Sequence, residues 1–451
     1  MNIIIVGCGR VGQNLAEQLN EEDNNITMID QDSSALKEVC ARYDLMGVTG
    51  NGATHSVQVE AGINDADLLI AVTGSDELNL LCCLIAKKAG HCQTIARVQD
   101  PVYNIEAPYL KNELGLAMVV NPELAAAEEI ARILRFPSAI KIDTFAKGRV
   151  ELLKFKLPEK SPLVGMSVKE VVMKLRCDVL VCTVERGDEA YIANGDFVFA
   201  EKDVISIIAS PKNANAFFKA IDYKTHSVKD VMIVGGGKMT GYLCEILQKH
   251  SMDVKIIEKD RAVCDRLSDT WGDVTVINGD ASDRETLYEE GIASAGAFLA
   301  LTSSDEENIL LSLFAKGAFD GKLVTKIEKI DYDDVIKHLD FDSIIYPKNI
   351  TSEMIVRYAR AMKNTMGSNV ETMYSVIKGK IEASEFIVGE NSPIADIPIS
   401  QLKFKENILV AAIIRDGAVI IPRGYDVIKT GDAVVIVSGA IALRDIADVL
   451  K

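Results

Sequence analysis

Three glycines at a fixed spacing lie near the beginning of the chain. Gly7, Gly9 and Gly12 directly follow the apolar run of residues 2–6, and Asp30 ends the next apolar run, 18 residues after Gly12. Between a strand and a helix, this pattern binds a dinucleotide, because the glycines allow a tight turn, close approach of the pyrophosphate and close helix packing. The carboxylate of Asp30 would accept hydrogen bonds from ribose hydroxyls and repel a 2′-phosphate, which favours NAD over NADP. The candidate site also includes Cys8, Arg10 and Val11. The alternative is a glycine turn that holds no ligand.

A looser version of the same turn occurs in the second half of the chain. Gly235 and Gly237 follow an apolar run, and Glu258 stands where Asp30 stands in the first half. Thr240 occupies the position of the third glycine, and we expect its β-branched side chain to crowd the helix unless the helix start shifts. The site either retains nucleotide binding in altered form or has lost it. Its remaining candidate residues are Gly236, Lys238 and Met239.

A Thr-x-Ser-Asp-Glu-x-Asn pattern begins at Thr73 and again at Thr302. Each copy lies between a strand-like run and a helix-like run, so Thr73, Gly74 and Thr302 would lie at the carboxyl edge of a sheet beside the ligand. Asp76 and Asp305 are predicted as helix N-caps in preference to ligand contacts.

Two cations end equivalent apolar runs. Arg97 follows Thr94-Ile-Ala, and Lys326 is its counterpart in the second half. Each either faces the phosphates of a bound nucleotide or is a solvated charge at a strand end.

Groups for acid–base catalysis are not grouped in the sequence. The two Tyr-x-x-x-Lys matches, Tyr374–Lys378 and Tyr425–Lys429, fall in strand-like segments near the end of the chain, and the five histidines share no repeat position. A dehydrogenase needs a proton donor or acceptor beside the hydride site. The pattern therefore favours a protein that is not an enzyme, and the alternative is an NAD-dependent oxidoreductase with duplicated Rossmann domains.

The elements that position these residues are duplicated. The turn, the acidic residue and the Thr-x-Ser pattern recur at offsets of 228 or 229 residues, and a smaller second part of each half recurs as well, with Asp203 matching Asp432. The order is A-B-A-B. The predicted domains are 1–136 and 225–362 for the larger modules, and 137–224 and 363–451 for the smaller ones.

Strand-like and helix-like runs alternate in the A modules, which predicts parallel βαβ units in a sheet covered on both faces. The B modules read as small α+β units. The fold class is therefore α/β, with two Rossmann-like parallel-sheet domains, each followed by a small α+β domain. Segments 123–135 and 350–362 are predicted amphipathic helices between A and B that could pack on a second copy of the module.

The bulk composition excludes several classes of protein. Among 451 residues, Lys plus Arg number 49 and Asp plus Glu number 66, giving a net charge of −17, which argues against nucleic-acid binding. The nine cysteines form no Cys-x-x-Cys pair, so we expect reduced thiols and no metal site. No apolar run reaches the roughly 18 residues of a membrane helix, and a soluble, cytoplasmic protein is expected.

These motifs resemble the potassium-transport nucleotide-binding domain family, also called regulator-of-potassium-conductance domains. The resemblance covers essentially the whole chain, and it implies that Asn51, Val98 and Asp280 also belong to the nucleotide sites. Where the family shows Gly-Asp-Ala, the first module has Asn51 followed by an extra Gly52. The motifs are Gly7–Gly12, Asp30, Thr73–Asn79, Ala86-Lys87, Ala96-Arg97-Val98, Gly279-Asp-Ala-Ser282, Asp305–Asn308 and Ala315-Lys316.

The resemblance also implies a role. A tandem chain of this type is similar to peripheral subunits of Trk-type potassium-uptake systems, which implies a membrane-embedded, potassium-translocating partner. It implies a homodimer or homotetramer at the inner face of the membrane, with NAD or NADH as ligand and ATP or ADP as further candidates. A nucleotide sensor of a potassium channel or antiporter is the remaining alternative.

Overall fold

In the computed structural model, the first A module forms a parallel sheet of six strands in the order 3-2-1-4-5-6. The central strands are buried on both faces, as their continuous apolar runs require. The elements are β1 Asn2–Val6, α1 Arg10–Asn20, β2 Asn25–Asp30, α2 Ser33–Tyr43, β3 Met46–Thr49, α3 His55–Glu60, β4 Leu68–Ala71, α4 Asp76–Ala89, β5 Gln93–Arg97, α5 Pro101–Ile105, α6 Ala107–Glu113, β6 Met118–Val120 and α7 Pro122–Arg135.

The described part of the chain is interrupted at several short segments. The structure describes all residues except 23, 91, 137–138, 158–159, 176, 188, 222–227, 329–335, 337–338, 340, 366–369, 378, 391, 440–442 and 444.

One predicted helix of the first A module is divided in two. The run 102–114 forms α5 and α6, with Glu106 between them and a proline in the first turn of α6. A proline is tolerated at that position but interrupts a continuous helix, since it lacks the N–H that the preceding turn needs.

The first B module is an antiparallel sheet in the order β10-β9-β11-β8-β7. One face packs on two helices around Phe155, Phe217 and Phe218. The prediction missed β7, whose Lys-Ile-Asp-Thr-Phe sequence lacks a continuous apolar run. The elements are β7 Lys141–Phe145, β8 Val150–Lys156, α8 Val168–Leu175, β9 Val179–Arg186, β10 Glu189–Ile192, β11 Val204–Ala209 and α9 Pro211–Ala220.

The second A module repeats the strand order of the first, β14-β13-β12-β15-β16-β17. Its elements are β12 Asp230–Val234, α10 Lys238–Lys249, β13 Asp253–Glu258, α11 Arg261–Thr270, β14 Thr275–Asn278, α12 Arg284–Glu289, β15 Ala297–Ala300, α13 Asp305–Ala318, β16 Lys322–Lys326, β17 Ser343–Ile345 and α14 Pro347–Thr365.

The second B module has the same antiparallel pairing as the first but places short 3-10 turns at Ile399–Gln401 and Ile446–Val449. Its strands are β18 Val370–Ile377, β19 Ile381–Ile387, β20 Ile408–Arg415, β21 Ala418–Ile420 and β22 Ala433–Gly439.

The matched aspartates of the B modules have the same structural role. Arg186 donates two hydrogen bonds to Asp203, both at 2.8 Å, and Arg415 donates to Asp432 at 2.9 and 2.7 Å. Both carboxylates are buried, so each needs a charged, two-pronged partner of this kind. The repeated residue therefore holds the turn before the last strand of each sheet.

The chain divides into two compact units. The A modules form one, residues 1–131 and 229–359, and the B modules form the other, residues 132–228 and 360–451. Within the second unit, the sheet faces that carry Leu152 and Val435 share one apolar core, and Tyr374 donates a hydrogen bond to the Thr144 carbonyl at 2.7 Å. These observations, together with the strand orders, confirm the predicted fold class.

Three features concern the whole described chain. All nine cysteines are free thiols. The described residues contain no cluster of three or more His, Cys, Asp or Glu suited to a metal ion. Among those same residues, no helix is long and apolar enough to cross a membrane.

Candidate nucleotide-binding clefts

The first glycine turn leaves β1 and enters α1, and two of its glycines are sterically required. Gly7 has φ +112°, and a Cβ there would lie 3.1 Å from the backbone of Val72 and Thr73. A Cβ on Gly12 would lie 1.8 Å from the Gly7 carbonyl oxygen, so this position admits no side chain without movement of the turn. A Cβ on Gly9 would meet nothing within 4 Å, because Gly9 lines the open cleft.

The carboxylate of Asp30 is held at the mouth of this turn. It accepts the backbone N–H of Cys8 at 2.5 Å and that of Asp32 at 2.9 Å. Gly9, the residue before α1, leaves the first N–H groups of the helix without a side-chain cap. Free N–H groups at a helix N-terminus attract an anion, and here they lie beside the carboxylate of Asp30.

Asn79 organises the strand ends opposite the turn. Its side-chain oxygen accepts the N–H and the hydroxyl of Thr73, at 2.8 and 2.7 Å. Its amide nitrogen donates to the Arg97 carbonyl at 2.9 Å. Because Asn79 is buried, this residue fixes the ends of β4 and β5 together. Sequence reasoning did not assign it this role, although it closes the repeated Thr-x-Ser-Asp-Glu-x-Asn pattern.

The predicted N-cap assignment of Asp76 and Asp305 is wrong. Ser75 and Ser304 cap α4 and α13, because their hydroxyls accept the N–H groups of Leu78 and Glu307. The Asp76 carboxylate instead accepts the N–H groups of Gln99 and Asp100, at 2.9 and 2.8 Å, and Asp305 accepts the N–H of Glu328 at 2.9 Å. Each aspartate therefore holds the segment that follows the strand-end cation.

Arg97 turns back towards the cleft. Its guanidinium donates to the Thr73 carbonyl at 2.7 Å, while its Nε is buried without a partner. Burial lowers the pKa of this guanidinium, and the charges of Asp76 and Glu123 oppose that shift. A buried donor without an acceptor is suited to an anionic ligand.

The first cleft has a volume of about 450 Å³ and brings most of the predicted residues together. From the turn and the strand ends, its lining includes Gly7, Gly9, Arg10, Val11, Asp30, Thr73, Gly74 and Arg97. Four predicted residues do not line it: Cys8, Gly12, Asn51 and Val98. Cys8 is buried in the turn, and Val98 belongs to the apolar core. Lys348, from the second A module, does line it.

The second glycine turn accommodates its threonine without a shift of the helix start. Helix α10 begins at Lys238, the equivalent of Arg10, so the expected displacement does not occur. The buried Thr240 hydroxyl donates to the Gly235 carbonyl at 2.6 Å. The first turn of α10 is looser than that of α1, because the bond from Gly241 to Gly237 measures 3.3 Å and the equivalent bond in α1 measures 2.9 Å.

The remaining residues of the second site repeat the first site with changes of charge. Glu258 accepts the N–H of Gly236 at 2.7 Å, as Asp30 accepts that of Cys8. Lys326 stands in the place of Arg97 and pairs with Glu328 at 3.3 Å. The Glu328 carboxylate also pairs with the ammonium group of Lys348 at 3.1 Å. Burial opposes ionisation of Glu328, but the two lysines outweigh it and lower its pKa.

The second cleft has a volume of about 540 Å³. From the sequence-predicted set it is lined by Gly235, Gly236, Gly237, Lys238, Met239, Glu258, Asp280, Thr302 and Lys326. Thr240 is buried behind the turn and does not line it. Gln99 and Glu123 of the first A module complete the wall.

Each A module thus contributes to the cleft of the other, and one residue from each occupies an equivalent position in the repeat. Glu123 and Lys348 are both the second residue of the helix that follows the last parallel strand, and each lines the cleft of the other module. Asn121 supports the exchange by donating its amide to the Tyr242 hydroxyl of the second module at 2.9 Å. Within the predicted segment 123–135, Glu123 lines the cleft of the second A module, and packing of the rest of the segment on a second copy stays a prediction. The repeated proline before Glu123 and Lys348 marks in the sequence where each helix begins, but not which cleft these residues line.

The interpretation of Gly52 as an extra residue is wrong. Asn51 accepts the N–H of Ala53 at 2.9 Å, and Asp280 accepts that of Ser282 at 2.9 Å, so the two turns correspond and Gly52 aligns with Ala281. The one-residue difference arises earlier, between the second helix and the third strand of each A module.

The Tyr-x-x-x-Lys matches lie in the B modules. Tyr374 is in β18 and Tyr425 in an exposed turn, whereas Lys378 is outside the described residues. Neither cleft has a tyrosine or histidine in its described lining.

Both clefts have the features of a nucleotide site in this type of sheet. Each combines an uncapped helix N-terminus, a carboxylate beside it and a cation at a strand end, at the point where the strand order of the sheet reverses. Open α/β sheets bind ligands at this point. Both volumes are within the range of about 300–1,000 Å³ that is typical of small-molecule sites.

Comparisons with known proteins agree with this architecture. The chain is 31% identical over its whole length to "Trk system potassium uptake protein TrkA homolog 1" of Methanosarcina mazei, which it also covers completely. It is 31% identical to "Trk system potassium uptake protein TrkA" of Haemophilus influenzae, over 97% of this chain and 95% of the relative. The GsuK RCK domain crystal structure has the same fold, with a TM-score of 0.64 and 16% identity over 97% of this chain and 92% of that one.

The family models cover both halves of the chain. The model of the TrkA-N domain matches residues 3–122 and 231–347, and that of the TrkA-C domain matches residues 152–222 and 383–451. These matches confirm the resemblance stated from the motifs, and the chain belongs to the family of proteins built from tandem TrkA-N and TrkA-C domains.

Proposed function

We propose that the chain is the nucleotide-binding regulatory, or gating, subunit of a potassium-uptake system. It would control potassium flux through a membrane-embedded, potassium-translocating partner. Full-length relatives that carry the name of the Trk potassium-uptake system support this assignment. The second unit, formed by the B modules, has no assigned ligand.

The observation that carries the proposal is the exchange of Glu123 and Lys348 between the clefts. A nucleotide in either cleft would contact residues of both A modules. Its binding free energy would then depend on the arrangement of the two modules. A ligand shifts a conformational equilibrium only through such a difference in affinity between states.

The proposed ligands are NAD or NADH, with ATP and ADP as further candidates, because the glycine turns and Asp30 or Glu258 suit the pyrophosphate and ribose that these molecules share. We propose that the cleft-lining residues described above hold them. The domains would be 1–136 and 225–362 for nucleotide binding, with 137–224 and 363–451 as the smaller modules.

The chain would act as a homodimer or homotetramer, attached to the inner face of the membrane through its partner. The net charge of −17 gives no basis for nucleic-acid binding. An NAD-dependent oxidoreductase and a sensor of a potassium channel or antiporter are the alternatives. The positions of Tyr374 and Tyr425 in the B modules give the oxidoreductase no support.

The test is reconstitution of the chain with a Trk-type membrane subunit in vesicles, with potassium flux measured against nucleotide concentration. We expect nucleotide to change the flux only when this chain is present, and Asp30→Ala and Glu258→Ala to shift the response. A typical coupling free energy of about 1–3 kcal/mol corresponds to roughly a 5- to 150-fold change. Flux that ignores both the chain and the nucleotide would contradict the proposal, and sustained oxidation of NADH by the purified chain would favour the oxidoreductase.

A further inference from the structure

The two clefts differ in charge although their frameworks correspond. The lining of the first has three cations and a single carboxylate, Asp30. The lining of the second has four cations and four carboxylates. Excess positive charge in a partly enclosed cleft attracts anions and discriminates between ligands of different charge.

Three of the four carboxylates in the second cleft have uncharged or cationic counterparts. Leu78 stands in the place of Glu307, and Asn51 stands in the place of Asp280. Lys348 reaches the first cleft from the helix position that Glu123 has at the second. The last difference is the largest, since it exchanges a positive charge for a negative one.

Glu123 lies near cations of the second cleft, one of which is on the glycine turn. Burial raises the pKa of Glu123, and the main opposing charge is that of Lys326, followed by Lys238 on the glycine turn. Glu123 is therefore close to the two cations that a phosphate in the second cleft would approach. Lys348 occupies the equivalent helix position and lines the first cleft together with Arg97 and Arg10.

The cations of the first cleft also have capacity for an additional anion. Arg97 keeps a buried Nε without a partner, whereas its counterpart Lys326 pairs with Glu328. Lys348 shares that same carboxylate with Lys326, so Glu328 neutralises only one of the two lysines.

We propose that the two clefts discriminate between nucleotides by charge. Relative to the dinucleotide, the more highly charged adenosine triphosphate binds better in the first cleft than in the second. Lys348 and Glu123 are the specificity-determining residues. The inference rests on the proposed function, because it assigns ligands to the same clefts. It makes the chain responsive to two ligand classes at once.

The test uses the full chain with one cleft blocked at a time. Gly237→Val should leave only the first cleft open to nucleotide, and Gly9→Val only the second. A Cβ at either position meets no other atom within 4 Å. Calorimetric titration of each variant with ATP and with NADH gives the ratio of its affinity for ATP to its affinity for NADH. We expect this ratio to be higher in the first cleft by about tenfold, the effect of one charge-assisted hydrogen bond.

Neutral substitutions then identify the residues responsible. When only the first cleft is open, Lys348→Gln should weaken the binding of ATP about tenfold and that of NADH less. When only the second cleft is open, Glu123→Gln should strengthen the binding of ATP. The control is Lys249→Gln, an exposed lysine that lines neither cleft, with thermal unfolding of every variant as a check of folding. Equal ratios in the two clefts, or no effect of Lys348→Gln on ATP, would overturn only this inference. Absence of any nucleotide binding would overturn the ligand assignment under the proposed function as well.

Discussion

The two A modules have the same strand order and the same glycine-turn framework, yet they differ where a side chain must fit and where a charge faces the cleft. At the third glycine position, the first module leaves no space for a Cβ, whereas the second holds a threonine hydroxyl bonded to the turn. At the cleft wall, the first receives a lysine and the second a glutamate. After duplication, a framework of backbone geometry has been kept while the side chains that meet a ligand have diverged.

The largest expected effect is at the third glycine position. Gly12→Ala should destabilise the first module by about 3 kcal/mol, because the new Cβ would overlap the Gly7 carbonyl oxygen. Thr240→Ala should cost only about 1 kcal/mol, the loss of one hydrogen bond. Calorimetric unfolding of the full chain measures both, and Gly9→Ala is the control, since its Cβ has open space. Equal costs for Gly12→Ala and Thr240→Ala would mean that the two turns do not differ as described.

A second difference involves the first residue of the fifth strand in each module. Lys322 is buried in the second module, where the first has the exposed Gln93, and burial lowers the pKa of Lys322 to about 8 against an opposing effect of Asp342. The folded state therefore binds fewer protons than the unfolded state between pH ~8 and the unfolded pKa of about 10.4. Stability of the second module should rise through that window by about 3 kcal/mol.

The fluorescence of Trp271, the single tryptophan of the chain, reports unfolding of the second module selectively. Lys322→Gln should remove the rise in stability with pH. A rise of the same size in the variant would show that another group is responsible.

The smallest expected effect concerns the helix caps that follow the fourth strands. Ser75→Ala and Ser304→Ala should each cost about 1 kcal/mol, because each hydroxyl accepts one N–H of the first helical turn. The two costs should match, since the caps are equivalent in both modules. Unfolding by urea measures them, and a clear inequality would place a difference between the modules at α4 and α13 as well.

Much of the fold could be predicted from the sequence. Parallel strands buried on both faces must be continuous apolar runs, so the six strands of the first A module were recognisable, and the repeat then located those of the second. Strand β7 was missed because three of its five residues are polar. The caps were assigned to Asp76 and Asp305 because adjacent Ser and Asp residues are both good caps, and only the backbone geometry selects the serine.

The glycine turns and the acidic residues near them could be identified from the sequence alone, because their chemistry is local. Each turn and its acidic residue belong to one strand–turn–helix–strand unit of about 30 residues. The placement of Glu123 and Lys348 was decided only by the tertiary structure. Each is remote in sequence from the cleft that it lines, and nothing in its neighbouring residues specifies which module its helix meets. That contact depends on how two folded modules pack, which no local pattern encodes, and so the charge of each cleft became visible only in the assembled unit.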